Sequence, residues 1–359
     1  MITFDLSEEQ ELARNAMRSF AQRELRPIAR KLDRDSAIPV STLDALWSTG
    51  LIQMQGNEDQ VRCPILNALV LEELAAADAT LALALAAPVA FTQAILDQGS
   101  QQQRETLLPL FYGSTFRAAA IALMEPHFGS DVSSLTTTAV RDKDGWRLNG
   151  RKTLVPLASA ASHFLVIAQA EGERAAFIVG RDTVGVNVEA PVPTVGLRAL
   201  EMSDIRFDGV FVQHSARLGS GAGVNVQRIV DSSRVGLAAV MTGLSRGVME
   251  YVIPYAKDRV VHGSALASKQ SIAFRIADMH IDVAAMRMMG WRAAFELAGG
   301  QDATRSSQLA YTYAARQSMS IADEGLQIFG GHGFVREHPI EMWYRNSRAV
   351  SMLEGVAGV

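Results

Sequence analysis

The chain has 359 residues, 48% hydrophobic and 20% charged, with a formal net charge of −4, which suits two or three structural units around a shared interior. The small charge and the lack of any Lys/Arg block argue against nucleic acid as a partner. Cys63 is the single cysteine, and the seven histidines (127, 163, 214, 262, 280, 332, 338) are not closely paired along the chain, so neither a disulfide framework nor a metal site is expected.

The N-terminal MITFDLSEEQ is acidic and has no apolar stretch, so no signal peptide is read and a cytoplasmic location is expected. Residues 1–112 read as helical. Ser7 caps a helix over 8–25, with Glu8 and Glu9 at its positive end. Pro27 and Pro39 interrupt, helices follow over 40–50, 65–77, 81–96 and 101–112, and GNEDQ (56–60) is a loop. The most apolar run, 74–91, is rich in alanine and contains Asp78, Thr80 and Pro88. It reads as a buried helix, and no membrane association is expected.

From Phe116 the period changes. FRAAAIAL, TTTAVRD, WRLNG, RKTLV, HFLVIAQA, RAAFIVG, VGVNVEA and DIRFDGVFV are short runs broken by turn residues. They describe an antiparallel barrel or sandwich at 113–217. Beyond Gly223 the helical period returns, over 224–262 with Pro254 as a candidate break, then 268–297 and 306–329. These make most of a four-helix bundle, completed by a shorter helix or another subunit. The expected fold is mainly α with a central β module, divided as 1–112, 113–217 and 218–359.

Few segments carry chemistry. GSGAGV (219–224) lacks the third glycine and the βαβ context of a dinucleotide loop and reads as a flexible lead-in to a helix. EPHFGSD (125–131) follows a strand and can present Ser130 and backbone donors to a ligand. Arg259, near a helix end, can pair with a phosphate or a carboxylate. QIFGGHGF closes a helix with Gly330, Gly331 and Gly333, where backbone can approach a ligand. Near the end, LEGV sets Glu354 beside Gly355 among Met352, Leu353 and Val356. A carboxylate in apolar surroundings tends toward a raised pKa, which suits a base near neutral pH.

In order, LMEPHFGSD, LNGRKTLV, VGLRALEMSDIRFDGV, RVVHG with Gln270, QIFGGHGF and LEGV resemble the acyl-CoA dehydrogenase family over nearly the whole chain. The resemblance implies an FAD enzyme with an N-terminal helical domain, a middle β domain and a C-terminal four-helix bundle. Such enzymes desaturate acyl-CoA thioesters, and their electrons leave through an electron-transfer flavoprotein. Glu354 falls on the base that removes the α-proton while a β-hydride passes to flavin N5; the alternative location, before Arg234, holds Ser233. The Glu354 N–H would help hold the thioester oxygen. Ser130, Asp231, Arg234 and Gly355 fall on the substrate side, Ser130 also close to the cofactor. Arg259, His262, Gln270, Gln327, Gly330 and Gly331 fall on residues that reach the distal end of a neighbouring subunit's FAD.

Departures cluster at the flavin ring. Met124 stands where the family has threonine, and Leu154, Val155 and Pro156 where it has Trp-Ile-Thr. The ring contacts expected of Met124, Leu154 and Pro156 therefore lack their usual hydrogen bonds, at roughly 1–3 kcal/mol each. This pattern resembles the α2β2 enzymes of steroid side-chain and related lipid degradation, so an unlike, homologous partner subunit is expected, with a homotetramer as the alternative. A non-catalytic partner subunit is the second reading. A flavin monooxygenase or an acyl-carrier-protein dehydrogenase is a third.

Overall fold

The computed structural model describes residues 6–52, 63–128, 131–219 and 223–359. Ser130 and the 56–60 loop lie outside the described residues. Helix α1 (Glu8–Phe20) starts with a capping box, in which Ser7 Oγ accepts from Gln10 N–H and the Gln10 side chain accepts from Ser7 N–H. Pro27 does not interrupt as expected. It sits in the first turn of α2 (Arg26–Asp35), where no backbone N–H is required, and a wide helical turn at Ala21–Leu25 joins α1 to α2. Helix α2 ends at Asp35, where Ser36 takes φ 53°, and Pro39 instead stands at the N-cap of α3 (Val40–Trp47).

The apolar run divides into α4 (Pro64–Ala77) and α5 (Ala79–Gln98) at Asp78, whose buried carboxylate accepts from Leu81 N–H at 2.8 Å. Burial pushes the Asp78 carboxyl up to about 6, against the Leu81 hydrogen bond. By length and composition α5 is apolar enough to cross a membrane, but 94% of its apolar window is buried inside the protein. Helix α6 (Gln101–Leu107) leads into the β module.

The strands are β1 (Ala119–Ala122), β2 (Thr138–Asp142), β3 (Gly145–Pro156), β4 (His163–Ala170), β5 (Glu173–Gly180), β6 (Val186–Pro191) and β7 (Met202–Gln213). They run β1-β4-β2-β3-β7-β6, with β5 on the other edge of β4. The module is mixed rather than antiparallel: β4 lies parallel to β1 and to β2. Alternation reports which face a side chain takes, not the direction of the neighbouring strand. WRLNG and RKTLV are one strand, β3, with register shifts at 148–150 and 152–155. The second shift holds Leu154 at φ 51°, turning it out of the ladder.

Helix α7 (Val226–Asp258) runs unbroken through Pro254. It stops short of 262, because residues 260–265 form a hairpin of β8 (Val260–Val261) and β9 (Ser264–Ala265). The turn holds His262 and Gly263 at φ 53° and 76°, the double positive φ of a tight two-residue loop. Helices α8 (Gln270–Ala298), α9 (Thr304–Phe329) and the short α10 (Ile340–Val350) complete the bundle. Helix α7 also crosses α4 closely. A Cβ at Gly243 would sit 2.1 Å from Glu72 O, and one at Gly247 2.4 Å from Ala76 O, so nothing larger than glycine fits. At this crossing the buried Arg246 guanidinium pairs with Glu72 and Glu73.

Candidate active site

Beyond α10 the chain turns through Ser351 and Met352, and the Tyr311 hydroxyl of α9 fixes that turn, 2.8 Å from Leu353 O and 3.2 Å from Ser351 O. Burial and the nearby Glu354 charge push the Tyr311 phenol up to about 12, so it stays protonated and donates. Glu354 follows. Its surroundings are not the apolar ones its sequence neighbours suggest. Arg234 Nε of α7 donates to Glu354 Oε1 at 2.7 Å, with the side chains 11% and 23% exposed. The carboxylate is thus oriented by a charge-assisted hydrogen bond and stays open on one side.

Glu354 N–H points at Met124 Sδ, 3.3 Å away just beyond β1. Gly355 N–H donates to Ser233 Oγ at 2.9 Å. Gly355 takes φ 79° with Leu123 against it: a Cβ there would lie 2.7 Å from the leucine Cβ. Thr153 N–H donates to Met124 O at 2.9 Å, bringing the end of β3 to the same place. Leu154 is half-buried, and Pro156 is buried opposite Met202. The structure therefore brings Glu354, Gly355, Arg234 and Met124 into one group, with Leu154 on the adjoining strand. Asp231 is turned to α9, where it accepts from Ser307 Oγ at 2.8 Å and Thr304 Oγ1 at 3.2 Å, and it also accepts from Gln227 Nε2 of its own helix at 3.0 Å.

A fully buried ion pair underlies this group. Lys152 Nζ lies 2.8 Å from Glu125 Oε1 and 3.0 Å from Leu123 O. Glu125 also accepts from Thr137 N–H at 2.9 Å and from the N–H and hydroxyl of Thr136, each at 2.6 Å. Burial opposes the charge on Glu125, but Lys152 and the two threonines outweigh it and hold its pKa at about 2. Glu125 follows Met124 directly and Lys152 precedes Leu154 by two positions, so the pair ties together the two backbone segments that carry those side chains. Sequence reasoning missed this pair and Tyr311. The signal for the pair was the single charge in the apolar segment ALMEP; RKTLV carries two adjacent cations, of which only Lys152 is buried.

A second group lies at the other end of α7, about 37 Å away at 1.5 Å per residue. Arg259 caps α7, His262 sits in the hairpin turn, Gln270 begins α8, and Gln327 and Gly330 end α9, with Gly331 next to them; all are exposed. Tyr255 stacks on Phe329 at 3.8 Å, and its hydroxyl lies 3.1 Å from His332 Nδ1, which fixes the glycine turn against α7. A Cβ on Gly330 or Gly331 would meet nothing within 4 Å. The surface is open and can take an anionic group beside the Arg259 guanidinium. The histidines prove closer in space than in sequence, the His332 and His338 rings being 6.1 Å apart. Even so, among the described residues no group of three or more His, Cys, Asp or Glu side chains is placed to hold a metal ion.

Residues 7–113, 120–210 and 219–359 match the N-terminal, middle and C-terminal domains of acyl-CoA dehydrogenase. The mitochondrial short-chain specific acyl-CoA dehydrogenase of Mus musculus is 29% identical over 366 residues, spanning 99% of this chain and 89% of that protein. The butyryl-CoA dehydrogenase of Megasphaera elsdenii has the same fold, with TM-score 0.90 at 28% identity over 99% of this chain and 96% of that one. An FAD complex of PigA gives TM-score 0.88 at 25% identity over 97% and 94%. Matched in all three domains and in their order, the chain belongs to the acyl-CoA dehydrogenase family.

Proposed function

We propose that this chain is a subunit of an FAD-dependent acyl-CoA dehydrogenase that introduces a Cα–Cβ double bond into an acyl-CoA thioester, with Glu354 as the base. The observation that carries the reading is the Glu354 setting. Its carboxylate is held by Arg234 and its loop by Tyr311, and its own N–H faces a thioether. Sulfur is a weak acceptor, so that N–H can turn to a thioester oxygen at little cost, polarising the carbonyl and acidifying the α-carbon next to the carboxylate. General-base assistance of this kind is worth about 10²–10⁴ in rate. FAD, when bound, supplies the acceptor for the β-hydride, and an electron-transfer flavoprotein is the proposed outlet for the electrons.

The residues present suit FAD unequally. At the distal end, Arg259, Gln270 and Gln327 offer exposed donors beside an open glycine turn, a set that suits a pyrophosphate and a nucleotide. At the ring end, Met124 and Leu154 offer apolar surface, Pro156 is buried behind them, and the Leu154 N–H is directed at Asp204 Oδ1, 3.3 Å away. We therefore place this chain in an assembly with a homologous, unlike subunit. That partner supplies the stronger ring contacts, while this chain completes the distal end of the partner's FAD. An assembly face is supported by Phe274, Ile281, Met288 and Phe295, exposed at seven-residue spacing along α8. The weak ring end also favours the second reading, a non-catalytic partner subunit.

The test is anaerobic addition of butyryl-CoA to the FAD-loaded protein. The flavin's visible absorbance bleaches in the wild type, whereas Glu354→Gln keeps its FAD and stays coloured. Equal bleaching in both sinks Glu354 as the base, and no bleaching in either leaves the partner-subunit reading.

A further inference from the structure

We infer that residues 355–359 fill the inner end of the acyl-binding space beside Glu354 and so limit this chain to short acyl groups. The inference rests on Glu354 being the base for an acyl-CoA. A thioester with its oxygen at Glu354 N–H and its α-carbon at the carboxylate must leave the large, charged CoA toward solvent. The rest of the acyl group then points inward, between α5, β1 and α7.

That space is occupied by the chain itself. From Gly355 the backbone turns in, and Val356, Ala357, Gly358 and Val359 are all buried. Ser233 Oγ accepts from Gly355 N–H at 2.9 Å. Farther in, Ser232 Oγ lies 3.1 Å from Val359 N and 3.0 Å from Val359 O. The flanking helices meet the segment with their smallest residues. A Cβ on Gly236 of α7 would lie 3.0 Å from Gly358 N, and one on Gly358 would lie 2.6 Å from the Ala90 Cα of α5. The cavity left beside Ala357, lined by Ala90, Ala94, Ile121, Ile229 and Ser232 and bounded by the Asp97–Arg228 ion pair, measures about 10 Å³, room for roughly one water molecule. A longer acyl chain has to displace three buried apolar side chains and both serine attachments before it gains any contact.

The experiment measures binding of butyryl-CoA and octanoyl-CoA to the FAD-loaded protein, for the wild type, a variant lacking residues 356–359, and Ser232→Ala. The wild type binds octanoyl-CoA no tighter than butyryl-CoA. Removal of 356–359 shifts the ratio toward octanoyl-CoA by roughly a hundredfold, the yield of burying four more methylenes. Ser232→Ala moves the ratio the same way with every residue of the segment in place, and it decides the matter if the shortened chain does not fold. A wild type that prefers octanoyl-CoA about a hundredfold overturns the inference while sparing Glu354 as the base, as do variants that bind butyryl-CoA with an unchanged ratio. Failure to bind either thioester overturns both.

Discussion

Glu125→Gln removes one charge from the buried pair beneath the site and keeps the shape. The amide offers a single acceptor oxygen where the carboxylate offers two, and it turns an NH2 toward groups that are themselves donors. If the oxygen stays with Lys152 and Thr137, the bond from Thr136 N–H is lost, and the Lys152 ammonium is left buried with Leu123 O and a neutral amide. Leaving one member of a buried ion pair uncompensated costs about 3–5 kcal/mol. Lys152→Met costs toward the low end of that range, because Glu125 keeps the hydrogen bonds from Thr136 and Thr137. The double variant falls short of the sum by about 0.5–3 kcal/mol, as for groups in direct contact. Urea unfolding followed by tryptophan fluorescence reads these as midpoint shifts at unchanged slope; Trp146 is buried in the β module. The pH dependence has a definite sign. Glu125 has a folded pKa of about 2, so as pH falls from the ordinary glutamate value of about 4.3 the unfolded chain takes up the proton first. The stability from this group, present above that value, is lost toward pH 2, and Glu125→Gln lacks that slope. A Glu125→Gln protein within about 1 kcal/mol of wild type, or an additive double variant, refutes the reasoning.

Tyr311→Phe keeps the ring and deletes the hydroxyl that fixes the Glu354 turn. It costs about 1 kcal/mol of stability and lowers kcat more than it raises KM, as steady-state kinetics will show. Arg246→Met takes the guanidinium from between Glu72 and Glu73 at the α4–α7 crossing, while Glu72 keeps Arg287 and Glu73 keeps Arg18. It destabilises by about 1.5–3 kcal/mol, the worth of a lost hydrogen bond to a charged group, measured by thermal unfolding. Ile281→Glu places a charge in the middle of the exposed α8 stripe, and light scattering of the assembled protein then shows a smaller particle, while circular dichroism shows unchanged helix content.

The architecture was legible because its signals are local. Helical and strand periods, the Ser7 cap and the polar Asp78 inside an apolar run all act within a few residues. Proline was misjudged because its effect depends on position. Pro27 falls where a helix lacks hydrogen-bonded N–H groups anyway, and Pro254 lies one turn from the end of α7. Strand direction and the hairpin at 260–265 were missed because pattern carries face, not pairing partner. At the site, Glu354 could be singled out by its setting in LEGV and by family resemblance. Its ion pair with Arg234 could not, because 120 positions separate the two and only the packing of α7 against the end of α10 joins them. The inward path of 355–359 is of the same kind: glycine and alanine in that segment report small size, and their meaning appears only against Gly236 and Ala90.

The base assignment is tested most directly by α-proton exchange, which needs no electron acceptor. The FAD-loaded protein is incubated with butyryl-CoA in heavy water, and deuterium entering at the α-carbon is followed by mass spectrometry. The account predicts exchange in the wild type that is slowed about 10²–10⁴-fold in Glu354→Gln. Exchange at the same rate in both proteins, or none in a wild type that binds the thioester, contradicts it.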